Sequence, residues 1–262
     1  MNTLLRIYCL LACLVVSILT ACTPGAPVPT ITPPAPPTAI PVPLSSLVSL
    51  TTIYFREEGT APKYVITAQI PRLAGSEDDR AKEFNEKAEK IIREEIQYFR
   101  ENIIAHMPAA PVTNGSSFDT QYALVYQTNG LWALKFNFSG YADGAAHPFH
   151  YSMTINYDLE HGRELALGDL FAADTGYLKA ISSFCIAELT RRNIGFYSGF
   201  ERGAEPNDDN YRNWNITFDG ILITFDEYQV APYAAGPQTI TVPYSELKPI
   251  INPQGPLVAV VR

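Results

Sequence analysis

The sequence predicts an α+β fold: antiparallel strands and hairpins packed with two main helices, arranged as two small subdomains. Three observations predict it. Two stretches, residues 76–107 and 175–193, repeat apolar residues every three or four positions, the period of a half-buried helix. Short runs of β-branched and aromatic residues lie around them, and the dipeptides Asn129-Gly130 and Asp219-Gly220 join such runs in the manner of tight hairpin turns. Single helices interrupt groups of strands instead of alternating with them one for one, which argues against a doubly wound parallel sheet.

Taken in order, residues 64–70 read as a strand closed by Pro71. Ser76 is placed to cap the next helix, with Glu77, Asp78 and Asp79 on its positive end. In that helix Phe84, Ala88, Ile91, Ile92, Ile96, Phe99 and Ile103 form the core stripe, while Lys82, Glu83, Lys87, Glu94 and Arg100 face water; Pro108 and Pro111 end it. Strands are predicted at 121–128, 131–139 and 149–158, followed by a turn at 158–162. The second helix packs through Leu178, Ile181, Phe184, Cys185 and Leu189. A polar loop around Asn207 and Asp208 leads to a hairpin of 214–218 and 221–225, a last strand at 239–242 and a short helix at 245–251.

Before residue 48 the composition is different. Arg6 precedes an almost wholly apolar run from residue 7 to 19, about 13 residues and too short to span a bilayer as a helix. It ends in Leu19-Thr20-Ala21-Cys22, which looks like a bacterial lipobox, so residues 1–21 read as a lipoprotein signal peptide and Cys22 as the lipidated residue. Residues 22–47 form a tether. In its span 24–46, nine of 23 residues are proline and none is charged, which suits a semi-rigid spacer of up to roughly 70 Å. Of the four cysteines, Cys9 and Cys13 lie in the signal and Cys22 carries lipid; Cys185 is left alone, so no internal disulfide is expected and it reads as a small buried hydrophobe. The formal charge of −8 excludes a general nucleic-acid binder, which needs a basic face.

The candidate site residues fall in two blocks. Asp143, His147 and Pro148 belong to a glycine-containing turn, and Tyr228, Pro232, Tyr233 and Gly236 to an aromatic, proline-punctuated segment. His147 is read as bracing the turn, with ligand contact as the alternative. A metal site of Asp143, His147 and His150 is a further alternative, since imidazole and carboxylate suit zinc. Against it, a three-residue spacing would aim the two rings to opposite sides of a pleated strand, and no helical His pair with a catalytic Glu is present. Nucleophile-elbow and phosphate-loop motifs are absent, and the acidic loop at 205–210 lacks the twelve-residue calcium pattern. No catalytic residue and no cofactor are assigned. Tyr228, Tyr233, Tyr244, Phe225 and Trp214 supply rigid amphipathic rings that serve either recognition or core packing.

Several blocks together resemble the RsiV-like extracellular domain of lysozyme-sensing anti-sigma factors, which also occurs in PdaC-type peptidoglycan deacetylases. They are the run 140–148 ending in His147-Pro148, the run 157–171 containing Gly162-Arg163-Glu164-Leu165, the run 220–225, and the run 228–236 containing Ala231-Pro232-Tyr233. Ile70-Pro71-Arg72-Leu73 and Phe84-Asn85 resemble the smaller PdaC-like domain. The resemblance implies a PdaC-like domain over 48–150 and an RsiV-like domain over 151–262. It also implies an extracellular module that recognises a lysozyme-like protein or a peptidoglycan fragment without catalysis; the lipobox and tether add that it is a lipoprotein facing outside the cytoplasm, on the cell membrane or an outer membrane. Anti-sigma activity is not expected, because only a few residues precede the signal, nor is deacetylation, which that family places in a separate catalytic domain. A metal-assisted wall hydrolase or deacetylase, and a purely structural envelope lipoprotein, are the competing classes.

Overall fold

A computed structural model describes residues 42–107, 114–128, 130–193 and 199–261. The signal, Cys22, most of the tether, Pro108, Pro111 and Asn129 lie outside the described residues.

The larger sheet contains six strands in sequence order: β1 (Ser49–Thr60), β2 (Lys63–Ala74), β3 (Ser116–Thr128), β4 (Leu131–Tyr141), β5 (Phe149–Asp158) and β6 (Arg163–Glu164). All neighbours are antiparallel except β2 and β3, whose parallel pairing requires the crossover made by α1 (Asp79–Asn102). The smaller sheet is antiparallel and contains β7 (Trp214–Ile216), β8 (Gly220–Phe225) and β9 (Gln238–Pro243). Between the sheets in sequence lies α2 (Tyr177–Arg192), and α3 (Tyr244–Leu247) follows β9.

Helix α1 meets its expected stripe: Phe84, Ala88, Ile92, Ile96 and Phe99 are buried, and Ile91 and Ile103 pack beside them. Its cap is Asp78 and not Ser76. Asp78 accepts from Arg80 N, with Arg80 also paired to it, and this holds its carboxyl down at about 2, while Ser76 Oγ receives Asp78 N one turn earlier. Arg100 does not simply face water; it pairs with Glu57 of β1. Pro71 does not close β2. That strand pairs with β3 only as far as Ala68, so beyond it a missing N–H breaks no ladder on that side, and pairing with β1 continues to Ala74.

Strand β4 alternates cleanly. Trp132, Leu134, Phe136 and Phe138 point into the core beneath α1, whereas Leu131 and Ala133 belong to a second core under α2 and the smaller sheet. A register shift at Leu124/Tyr126 turns the end of β3 over, so that Phe118 faces α1 and Tyr126 faces the second core. Two buried amides join the sheets. Asn156 Nδ2 donates to Trp214 O at 2.7 Å and its Oδ1 receives Ile216 N at 2.9 Å, while Asn215 Nδ2 donates to Leu134 O at 3.0 Å. Residues 41–262 are therefore one compact unit with two cores, and the expected boundary at 150/151 falls inside β5, which is bonded along its length to β4. The fold also begins earlier than residue 48: Leu44 is 2% exposed and forms part of the first core.

Candidate functional site

The smaller sheet covers only part of the larger sheet's second face. Where it stops, three adjacent strands present polar side chains in register: Asp119, Ser139 and His150 form one row, and Gln121, Asn137 and Ser152 the next. Lys135 lies one step further along β4. With Glu227 and Pro237 from the loop between β8 and β9, they line a cleft of about 440 Å³.

That loop is built to hold its shape. Gln229 Nε2 donates to Gly203 O and Asn210 O, and Val230 and Ala231 are buried. Gln229 N donates to Asp226 O across a four-residue turn, which puts Tyr228 at its third position with φ of +66°. Glycine or asparagine normally takes that left-handed place, because a Cβ there is crowded. Here a tyrosine occupies it and is 57% exposed. Pro232 then starts a 3₁₀ turn over Tyr233–Ala235, ended by Gly236 at φ +65°.

This loop meets the turn before β5, joining the two blocks that are far apart in sequence. The rings of His147 and Tyr233 stack at 4.1 Å and 30°, and Tyr228 lies 5.7 Å from Tyr233. Tyr233 Oη donates to Pro148 O at 3.0 Å, and His147 Nδ1 lies 2.7 Å from the same carbonyl. The carbonyl can only accept, so Nδ1 donates to it, and Nε2 lies 3.5 Å from Tyr228 Oη. Beneath the turn, Gly140 is required: a Cβ there would sit 2.3 Å from the Phe149 ring that packs across it.

His150 turns to the same loop, with Nδ1 3.0 Å from Glu227 Oε1. Both histidines thus approach one segment, contrary to the expectation of opposite sides. The strand begins only at Phe149, so His147 lies in the turn and escapes the two-residue alternation. Asp143 is tied to the start of β3, its N donating to Ser116 Oγ and its Oδ1 receiving Asn114 N. The three residues of the metal alternative therefore engage different groups, and among the described residues no three His, Cys, Asp or Glu are grouped to hold a metal ion. Of the other aromatics, Trp214, Phe225 and Tyr244 are core. Cys185 is fully buried, and burial pushes its thiol up to about 12, as a packing residue requires.

Two charged groups near the cleft carry the mark of burial. Desolvation raises the carboxyl of Asp226, whose Oδ2 receives Asn213 Nδ2 at 3.0 Å, and desolvation lowers the ammonium of Lys135. Sequence reading singled out His150 but missed the rest of the polar rows. Their signal lies in β4, where Lys135, Asn137 and Ser139 alternate with Leu134, Phe136 and Phe138, but alternation alone describes any half-solvated strand.

At the opposite end of β5 the chain enters the fold. Glu160 Oε2 and Oε1 receive Leu44 N at 3.0 Å and Ser45 N at 2.9 Å, and Arg80 Nη1 donates to Glu160 O. Burial opposes its ionisation, yet these donors hold the Glu160 carboxyl below its usual range. Ten residues of β5, roughly 30 Å at about 3.3 Å each, separate this entry from the aromatic rim.

Fold and site together define a small α+β module whose main sheet is covered by a helix on one face and half covered on the other. More particularly, residues 168–245 match the family described as "Protein of unknown function (DUF3298)". The chain is 31% identical over 144 residues to the peptidoglycan-N-acetylmuramic acid deacetylase PdaC of Bacillus subtilis, covering 54% of this chain and 31% of that protein. It is 27% identical over 104 residues to the immunogenic protein MPT64 of Mycobacterium tuberculosis, covering 40% and 45% respectively. The chain thus spans a third to a half of the curated relatives it matches. A crystal structure of a DUF3298-family member from Bacteroides fragilis superposes with a TM-score of 0.62 at 17% identity, over 81% of this chain and 96% of that one. The expected likeness to PdaC is met, and the fold is that of DUF3298 structures.

Proposed function

We propose that this protein is a lipid-anchored binding module that recognises a fragment of the cell-wall glycan outside the cytoplasm, without catalysing its turnover. The observation that carries this reading is the stacked His147–Tyr233–Tyr228 rim beside an open polar sheet face. Sugars offer apolar C–H faces and hydroxyl edges. Rings take the first, while side-chain amides and carboxylates such as Asn137, Gln121 and Asp119 take the second. Strain at Tyr228 fits a ring placed for use and not for packing. The likeness to a peptidoglycan deacetylase supports the wall as the source of the ligand. Lipid on Cys22, followed by the proline-rich tether, would hold the module outside the membrane, and chain entry at Leu44 leaves the rim at the far end of β5.

Calorimetric titration of the purified protein with wall fragments and with lysozyme tests this reading. Saturable binding of the glycan, weakened at least tenfold in Tyr228→Ala, is expected. Binding of lysozyme alone would favour a protein partner, and turnover of wall polymer would contradict a binding role. Mass spectrometry should find acylated Cys22, and Cys22→Ser should release the protein from the membrane fraction.

A further inference from the structure

The charged groups of the cleft are not equally provided for. Asp119 receives Thr67 Oγ1 at 2.5 Å and Gln121 Nε2 at 3.0 Å. Glu227, only 10% exposed at its side chain, faces His150, and Asp226 receives Asn213. Each of these carboxylates thus has at least one partner from the protein, although Asp226 Oδ1 is buried without one. The ammonium of Lys135 has no ion pair and no hydrogen bond to any described residue, although it lies on the cleft floor between Asn137 and Ala133 on β4. Asp226 is near enough to act on it through its charge, but they make no ion pair.

Lys135 is half-buried in the cleft, and that partial desolvation, without an acceptor from the protein, lowers its ammonium below the usual range. Arrival of an anion on the floor of the cleft reverses that effect. Hydroxyls alone would leave the ammonium short of a charged partner, while a carboxylate on the ligand completes it. Asn137 and Ser139, neighbours on the same strand face, supply uncharged donors for the rest of the ligand.

We infer that Lys135 forms the subsite for a carboxylate, so that the cleft selects an acidic saccharide over a neutral one. This rests on the glycan-binding reading above and narrows it to a substituent: either a lactyl carboxylate on the sugar or a carboxylate on a short attached peptide.

The test compares three probes by calorimetric titration of the full protein. They are N,N′-diacetylchitobiose, the disaccharide of N-acetylglucosamine and N-acetylmuramic acid with its lactyl group free, and that disaccharide carrying a dipeptide on the lactyl group. An acid-bearing probe should bind at least tenfold more tightly than chitobiose, and the better of the two locates the carboxylate. In Lys135→Met the preference should vanish, and Lys135→Arg should keep it. The two variants share a site, so a preference lost in Lys135→Met and kept in Lys135→Arg cannot come from general unfolding. Equal binding of all three probes, or a preference that survives Lys135→Met, overturns the carboxylate subsite and leaves glycan binding standing. Failure of every probe to bind overturns both.

Discussion

The two faces of β4 carry opposite instructions. On one, Trp132, Leu134, Phe136 and Phe138 are each 1% exposed or less and pack beneath α1. Phe118, Phe138 and Tyr151 stack in succession across β3, β4 and β5, at 6.1 and 4.9 Å. On the other face of the same strand, Lys135, Asn137 and Ser139 line an open cleft. One face is spent on stability, and the other keeps polar groups available to a partner. The smaller sheet makes this contrast sharper, because it covers Leu131 and Ala133 and stops short of Lys135.

The largest effect should come from breaking the closed face. Phe136→Ala removes a fully buried ring and should cost about 3–5 kcal/mol in urea unfolding, whereas Asn137→Ala one residue away should stay within about 0.5 kcal/mol. A comparable loss at both would mean that the polar face is structural. Next is the seam between sheets. Asn156→Ala leaves Trp214 O and Ile216 N unpaired in the interior and should cost about 3 kcal/mol by the same measurement.

A smaller effect concerns Asp226. Its carboxyl is raised above 3.8 by burial, so the folded chain binds a proton more readily than the unfolded one between that value and the native one. Its contribution to stability therefore falls as pH rises through that window. Asp226→Asn should show its greatest gain over wild type above the window and lose that gain as pH falls toward 3.8, as followed by melting curves. The smallest effect on stability is expected at Tyr228. Tyr228→Gly relieves the left-handed strain, about 1 kcal/mol, against the loss of its contact with Tyr233, so its melting temperature should match or exceed wild type. Glycan affinity should nevertheless fall, which separates use from stability.

Much of the fold was legible. The helical stripe of α1 and the alternation of β3 to β5 are strong periodic signals, and α2, whose periodicity is much weaker, also sits where it was expected. β1 was missed because its exposed edge leaves no buried face to read: Ile53 and Tyr54 are exposed, and Arg56-Glu57-Glu58 interrupts any apolar run. The boundary at 150/151 was placed inside β5 for a related reason. Sheet continuity is a long-range property, and the Asn156 bridge to β7 joins residues 58 apart. At the site, the turn of His147 and the loop of Tyr228 and Tyr233 were both legible as distinctive blocks, but their stacking was not. Nor was the Glu160 clasp on Leu44, which bridges 116 residues.

The central claim, that ligand is taken at the aromatic rim and open polar face, can be tested on four signals. The chain has four histidines, and two of them, His147 and His150, stand at the site, while His106 follows α1 and His161 pairs with Asp158 beyond the far end of β5. In protein labelled at histidine, a disaccharide of N-acetylglucosamine and N-acetylmuramic acid should shift the imidazole resonances of His147 and His150 saturably and leave His106 and His161 in place. Four unmoved signals, or a response confined to His161, would contradict the account.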